Sequence, residues 1–161
     1  MRSRLIGFAL LVCVGLILDQ CSSAKRDETG QITKSGNVSA FDMKVGDCFK
    51  SLPSDLNEST SFSDVEAVPC NEGHHWQNYY EGTIDLVEFD EDAVAIASDE
   101  LCNEAAKKLI YEMSSIKYDA FHDAKLSFIY PTFKSWTSKG DRSVSCVIGS
   151  DVDFYYSSVL D

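Results

Sequence analysis

The sequence predicts an α+β fold: an antiparallel β-sheet with one main α-helix packed on one face and two disulfides. Two observations support this class. Strand-like segments lie both before and after one long helical pattern, and that order is typical of α+β domains. Four cysteines follow residue 40, which is enough for two disulfides. The strand-like segments are 41–49, 65–68, 79–87, 125–130, 142–148 and 152–159.

The clearest strand pattern lies in residues 79–87. In an extended chain, Tyr80 and Ile84 fall on one face and Glu81 falls on the other. Residues 53–63 are polar and rich in serine, so we expect a loop there.

Residues 92–113 have the spacing of an amphipathic helix. Their apolar side chains recur at intervals of three and four residues and therefore share one face. Asp90 lies just before this pattern, where its charge complements the positive end of the helix dipole. Residues 135–141 are interpreted as a loop with a turn. The face to be buried is expected to contain Val94, Ala97, Leu101, Cys102, Ala105, Leu109, Ile110 and Met113.

The N-terminus has the layout of an export signal. Arg2 and Arg4 precede an apolar run over residues 5–18, and small residues follow. Fourteen helical residues reach about 21 Å, less than the roughly 30 Å of a bilayer core. The run is therefore interpreted as a signal rather than a permanent membrane span.

Three fates of this segment are open. Residues 18–21 resemble a bacterial lipobox, which makes Cys21 the candidate for lipidation. The others are cleavage after Ala24, which would release a secreted protein, and an uncleaved anchor. Residues 1–24 are accordingly assigned to a signal or lipoprotein-type segment. Residues 25–40 are predicted to be a flexible tether, because they contain few large apolar groups. Residues 41–161 are predicted to form a single domain.

The charge of the predicted domain argues against several partners. Residues 41–161 contain 23 acidic and nine basic residues, a net charge of −14. Such a domain repels phosphate backbones, so nucleic acid is not expected as a partner. Anionic lipid headgroups and anionic wall polymers are disfavoured for the same reason.

The four cysteines most economically form two disulfides in an exported domain. Three connectivities are possible, and the sequence alone does not select one. We favour Cys48 with Cys70, closing the polar loop between neighbouring strands, and Cys102 with Cys146, joining the helix to a late strand. The rival interpretation is a metal site that uses Cys70 with the histidines after it. Zinc sites usually contain closely spaced cysteine pairs, which this region lacks, so no metal or cofactor is predicted.

Three motifs occur in a particular order. They are Lys44-Val45-Gly46-Asp47-Cys48, then Val68-Pro69-Cys70-Asn71-Glu72-Gly73-His74, and finally Trp136 with Gly140-Asp141-Arg142-Ser143-Val144-Ser145-Cys146. This succession resembles the septum formation-related domain family of actinobacterial membrane proteins and lipoproteins. Gly73 stands where that family commonly has proline. The resemblance implies an extracytoplasmic module attached to the membrane near the cell wall, and it implies no particular chemistry.

The expected function is therefore a non-enzymatic binding module on the extracytoplasmic side of the cell membrane, with a link to septum formation. Its partners would be the membrane, through the N-terminal segment or a lipid, and an envelope protein or wall component. The candidate contacts are surface aromatics, namely Tyr79, Trp136, Tyr155 and Tyr156.

Two polar positions are singled out. His74 is either a structural histidine bonded to a carbonyl or, in the alternative function, the acid–base residue of a small wall-acting enzyme with a carboxylate as its partner. Arg142 is the single arginine of residues 41–161, and its guanidinium suits a bidentate carboxylate, for which Asp47 and Asp141 are the candidates. That pairing would be structural or would anchor a ligand.

Overall fold

The computed structural model describes residues 23–52 and 64–161. The predicted signal, the lipidation candidate Cys21 and the predicted loop 53–63 lie outside these residues. In the described ranges, no helix is long and apolar enough to cross a membrane.

The described residues form an α+β fold, as the sequence predicts, with eight strands and three helices. The strands are β1 (Lys25–Arg26), β2 (Ile32–Lys34), β3 (Gly36–Ser39), β4 (Cys48–Phe49), β5 (Asp64–Val68), β6 (Trp76–Thr83), β7 (Lys125–Ile129) and β8 (Ser143–Gly149). The helices are α1 (Glu91–Glu112), α2 (Ser115–Phe121) and α3 (Phe133–Lys139). Six strands form one sheet in the order β3-β5-β4-β6-β8-β7, and every neighbouring pair is antiparallel.

Helix α1 lies close against one face of this sheet. Asp90 caps it by accepting a hydrogen bond from the Ala93 amide, as its position before the helical pattern indicates. Its fully buried residues are small and recur every four positions: Val94, Ser98, Cys102 and Ala106. Ile110, which was expected to be buried, is 47% exposed.

Gly82 on β6 permits this close approach of helix and sheet. A Cβ atom at residue 82 would lie 2.8 Å from a methyl carbon of Leu101 on α1. A larger residue at this position would require the Leu101 side chain to move.

Both faces of the sheet carry an apolar core. Strand β8 serves both, because its side chains alternate between the two faces. Val144, Cys146 and Ile148 join the core beneath α1, whereas Val147 joins the second core on the opposite face. Ile32 and Val38 from the N-terminal segment belong to this second core.

The prediction of a flexible tether over residues 25–40 is wrong. Strands β1 and β2 pair with each other, and β3 pairs with β5 at the edge of the main sheet. The segment has few apolar residues, but two of them are buried and its backbone hydrogen bonds are made by strand pairing. These contacts offset the entropy of ordering the chain.

Three shorter predictions also differ from the structure. Residues 135–141 are mostly helical rather than a loop, because Thr132 and Ser135 form a reciprocal capping box that starts α3. Only Cys48–Phe49 is a strand within 41–49. The segment 152–159 contributes one backbone bridge, between Tyr155 and His74, instead of a strand.

The favoured disulfide pairing is confirmed. Cys48 bonds to Cys70 and Cys102 bonds to Cys146, with Cα–Cα distances of 5.3 and 5.4 Å. The first bridge joins β4 to the turn after β5, and the second joins the centre of α1 to β8. Cys48, Cys102 and Cys146 are buried.

We predict that removing either bridge strongly destabilises the protein. Closing loops of 22 and 44 residues restricts the unfolded chain by about 3 to 4 kcal/mol each. The Cys102→Ala/Cys146→Ala variant should therefore lose about that much free energy of unfolding in a urea titration, and so should Cys48→Ala/Cys70→Ala. A loss below about 1 kcal/mol for both variants would contradict this assignment of their role.

Candidate functional site

The sequence-predicted polar residues do not converge on one site. His74 lies at the start of β6, Arg142 precedes β8 at the other end of the sheet, and Asp47 lies just before β4. Their surroundings decide which of them can contact a ligand.

His74 is fully buried and held by backbone groups. Its ring Nδ1 lies 2.9 Å from the Glu72 carbonyl oxygen, and its backbone makes two hydrogen bonds with Tyr155. Its Nε2 has no hydrogen-bond partner among the described residues. Burial lowers the pKa of the imidazole, which favours the neutral ring. A ring in this setting is a structural histidine and has no carboxylate partner for acid–base work.

Arg142 does not pair with Asp47. Its guanidinium lies over the ring of Trp136, 3.2 Å from the ring centroid, and its Nη1 donates to the backbone carbonyl of Asp141. The Asp141 carboxylate accepts instead from the Ser143 amide. The only arginine of residues 41–161 thus stacks on Trp136 of α3. The predicted pairing of Arg142 with a carboxylate is wrong.

Asp47 pairs with Arg26, a residue from the segment predicted to be a tether. The Asp47 side chain is 2% exposed, and both of its carboxylate oxygens accept from the guanidinium, with 2.7 Å between Nη2 and Oδ2. Oδ2 also accepts from the Lys44 amide. The hydrogen bond to Asp47 is the largest cause that raises the pKa of Arg26, and the negative charge of Asp47 acts in the same direction.

Gly46 and Arg26 complete this corner of the fold. Gly46 has a φ of +97°, which a residue with a side chain rarely adopts, so glycine lets the chain turn just before Asp47. Arg26 donates further to the carbonyl oxygens of Gly30 and Asp42. The ion pair therefore connects the N-terminal strands to the turn that precedes Cys48.

A concave surface lies near this corner, on the face of the sheet opposite α1. It is a cleft of about 660 Å³. Its floor consists of alternating polar side chains on β6 and β8, and its sides are α3 and the segment 40–43. The floor contains Glu81, Thr83, Ser143 and Ser145, and the sides contain Phe41, Met43, Lys134 and Lys139.

Charge in the cleft is mixed. Burial raises the pKa of the Glu81 carboxyl, and the nearby Asp47 carboxylate acts in the same direction. The Lys139 ammonium lies 3.9 Å from the centre of the Phe41 ring at one side. Such a surface offers hydrogen bonds, the carboxylates of Glu81 and Asp141, and two ammonium groups to a polar ligand.

Within the residues that the structure describes, the cleft contains no serine paired with a base. No histidine lines it, and no hydrogen bond joins Ser143 or Ser145 Oγ to an acidic or imidazole side chain. A serine nucleophile needs such a base within hydrogen-bond reach. No group of three or more His, Cys, Asp or Glu side chains in 23–52 and 64–161 is arranged to hold a metal ion. The rival metal site fails because Cys70 is in a disulfide.

Of the four aromatic residues considered as candidate contacts, for most of which core packing was also expected, Tyr79 and Trp136 are buried. Tyr155 is half-buried and stacks on Phe121, whereas Tyr156 is exposed. The sequence reasoning missed Arg26 and Glu81. The alternation in β6 had placed Glu81 opposite the core face, and this was the available signal for the cleft floor.

Comparison of the chain with protein-family models, with curated proteins and with solved structures finds no match.

We predict that Arg26→Ala destabilises the protein by about 2 to 4 kcal/mol, because it leaves the buried Asp47 carboxylate without its partner. Urea unfolding measures the loss. Lys25→Ala is the matched control, since Lys25 is exposed and adjacent, and it should change stability by less than about 0.5 kcal/mol. Equal effects of the two substitutions would contradict the role given to the ion pair.

We also predict that the His74 ring takes up its proton at a lower pH than an ordinary imidazole does, because burial lowers its pKa from the usual value of about 6.5. The unfolded chain then takes up a proton that the folded chain does not, so this histidine makes the fold less stable as the pH falls below about 6.5. Ring-proton chemical shifts followed by NMR from pH 8 to 5 measure the titration. A His74 transition at or above pH 6.5 would contradict the buried setting.

Proposed function

We propose that the protein is an exported, membrane-attached, non-enzymatic binding module of the cell envelope and that it binds a polar envelope component in the cleft. The observation that carries the proposal is the cleft itself. Its floor combines Glu81 with three hydroxyl side chains, and Lys134 and Lys139 stand at its side. These groups suit a ligand that carries hydroxyl or amide groups and charge of both signs, as a wall fragment does.

The disulfides support the extracytoplasmic location. Cytosolic proteins rarely keep structural disulfides, because the reducing compartment maintains free thiols. Both bridges here join core elements, and three of the four cysteines are buried. The export layout of residues 1–24 agrees with this placement.

The ordered N-terminal strands give membrane attachment a geometric consequence. Ser23, the first described residue, bridges to Asn37 beside the sheet. Cys21 precedes it by two residues, which span at most about 7 Å of extended chain. A lipid on Cys21 would therefore hold this edge of the domain against the bilayer. A flexible tether over 25–40 would have allowed a separation of about 50 Å.

The proposal includes a link to septum formation. It depends on the resemblance of the three cysteine-containing motifs to that family. Release as a secreted protein after cleavage at Ala24 remains the alternative location, and it leaves the role of the cleft unchanged.

The alternative of a small wall-acting enzyme has little support from the geometry. Its acid–base residue, His74, is buried, does not line the cleft and is bonded to a backbone carbonyl. General acid–base catalysis requires the group to reach a substrate proton directly or through one water.

The test is a titration of the full-length protein with soluble disaccharide-peptides released from cell wall by a muramidase, followed by calorimetry and by NMR. We expect saturable binding with shift changes at Thr83, Ser143 and Ser145. Glu81→Gln should weaken binding about tenfold, because it removes a charge-assisted hydrogen bond worth about 1.4 kcal/mol.

Glu112→Gln, at the exposed end of α1, is the matched control and should leave affinity unchanged. Two results would overturn the proposal. Shift changes confined to residues outside the cleft would remove the assigned site, and accumulation of cleaved fragment would show an enzyme.

A further inference from the structure

We propose that a second surface, formed by the C-terminal segment, docks a basic, apolar-faced segment of a partner protein. We call this surface the C-terminal patch, and it consists of His75, Val152, Phe154 and Tyr156. It shares no residue with the cleft lining and goes beyond the proposed function.

The patch arises from the alternation of an extended segment. Val152, Phe154 and Tyr156 are 81%, 53% and 66% exposed. Tyr155, between the last two, points inward and stacks on Phe121 with 4.5 Å between ring centroids. Three large apolar side chains therefore remain on one outward face.

The Phe154 and Tyr156 side chains belong to one continuous surface with residues 73–75, just before β6. The Phe154 and His75 rings lie 4.0 Å apart between centroids, and His75 Nδ1 is 2.7 Å from the Asp153 carbonyl oxygen. A Cβ atom at residue 73 would touch both Phe154 and Tyr156, at 3.4 and 3.2 Å. Gly73 thus forms the base between the two aromatic rings.

The backbone beneath the patch is firmly held. Tyr155 exchanges two backbone hydrogen bonds with His74, at 3.0 and 2.8 Å. Farther along, the buried Gln77 side chain accepts from the Val159 amide and donates to Ser158. A surface ordered before binding loses little entropy when a partner docks, and rigid aromatic side chains are typical binding hot spots.

The charge around the patch indicates the partner. Glu72, Asp151 and Asp153 flank it in sequence, and Lys125 pairs with Asp151. An acidic border with an aromatic centre complements a segment that has lysine or arginine beside apolar side chains. The same charge repels anionic lipid, nucleic acid and a second copy of this acidic chain.

The test uses the full-length protein in nanodiscs of zwitterionic phosphatidylcholine. The probes are two fluorescent helical peptides of equal length, one of leucine and lysine and one of leucine and glutamate, followed by anisotropy. We expect the lysine peptide to bind and the glutamate peptide not to bind.

The variants separate docking from general attraction between charges. Phe154→Ser/Tyr156→Ser should weaken binding of the lysine peptide at least about tenfold. Tyr111→Ser removes a more exposed aromatic ring, from α1, and should leave affinity within about twofold. Glu72→Gln should weaken binding less than the double substitution does and should reduce its dependence on salt.

Four results would overturn the proposal. One is absence of lysine-peptide binding, and another is equal binding by the wild type and the double variant. A third is a dimer in light scattering that the double substitution disperses, which would identify a second copy as the occupant. The fourth is broadening of the Phe154 and Tyr156 NMR signals by spin-labelled lipid, which would identify the bilayer. Each leaves the cleft titration unaffected, so the two proposals fail separately.

Discussion

The bond between Cys102 and Cys146 is the constraint on which the main layer of the fold depends. The fully buried side chains of α1 are small, so the helix gains less from burial than a stripe of leucines would give. The bridge joins the middle of that stripe to β8, and the Tyr79 hydroxyl donates to the Cys102 carbonyl oxygen beside it. Close packing of small side chains and a covalent bond thus hold α1 on the sheet where larger apolar side chains could have done so. Gly82 leaves room on β6 for the Leu101 side chain of α1.

A second constraint acts on the opposite face. The buried Asp47 carboxylate takes the Arg26 guanidinium and the Lys44 amide, so one acidic group organises the turn before β4 and also fixes the N-terminal strands. The cleft lies beside the same turn, and Asp47 acts on the pKa of Glu81 there. In the proposed function, the membrane-attached end of the domain and the ligand cleft would therefore be adjacent.

Local patterns in the sequence were sufficient to predict the fold class, helix α1 and the approximate positions of strands β5, β6, β7 and β8. These segments have periodically spaced apolar residues, which local patterns reveal. The disulfide pairing followed from which segments neighbour each other. The N-terminal strands were missed because Ile32 and Val38 are isolated apolar residues whose burial depends on long-range pairing with β5. The site was harder to predict. The partner of Asp47 is Arg26, which lies 21 positions earlier in a segment whose composition is typical of a flexible chain. The C-terminal patch was anticipated only through Tyr156.

The account as a whole requires that the chain mature in an oxidising compartment with both bridges formed. The most direct test is mass spectrometry of protein isolated from native membranes and alkylated without reduction. The account predicts unmodified, cross-linked peptides for Cys48–Cys70 and Cys102–Cys146, and a diacylglycerol on Cys21 if the lipoprotein interpretation of the N-terminus is right. Alkylation of the four domain cysteines in folded protein would show free thiols, and it would contradict the extracytoplasmic placement and the envelope function that depends on it.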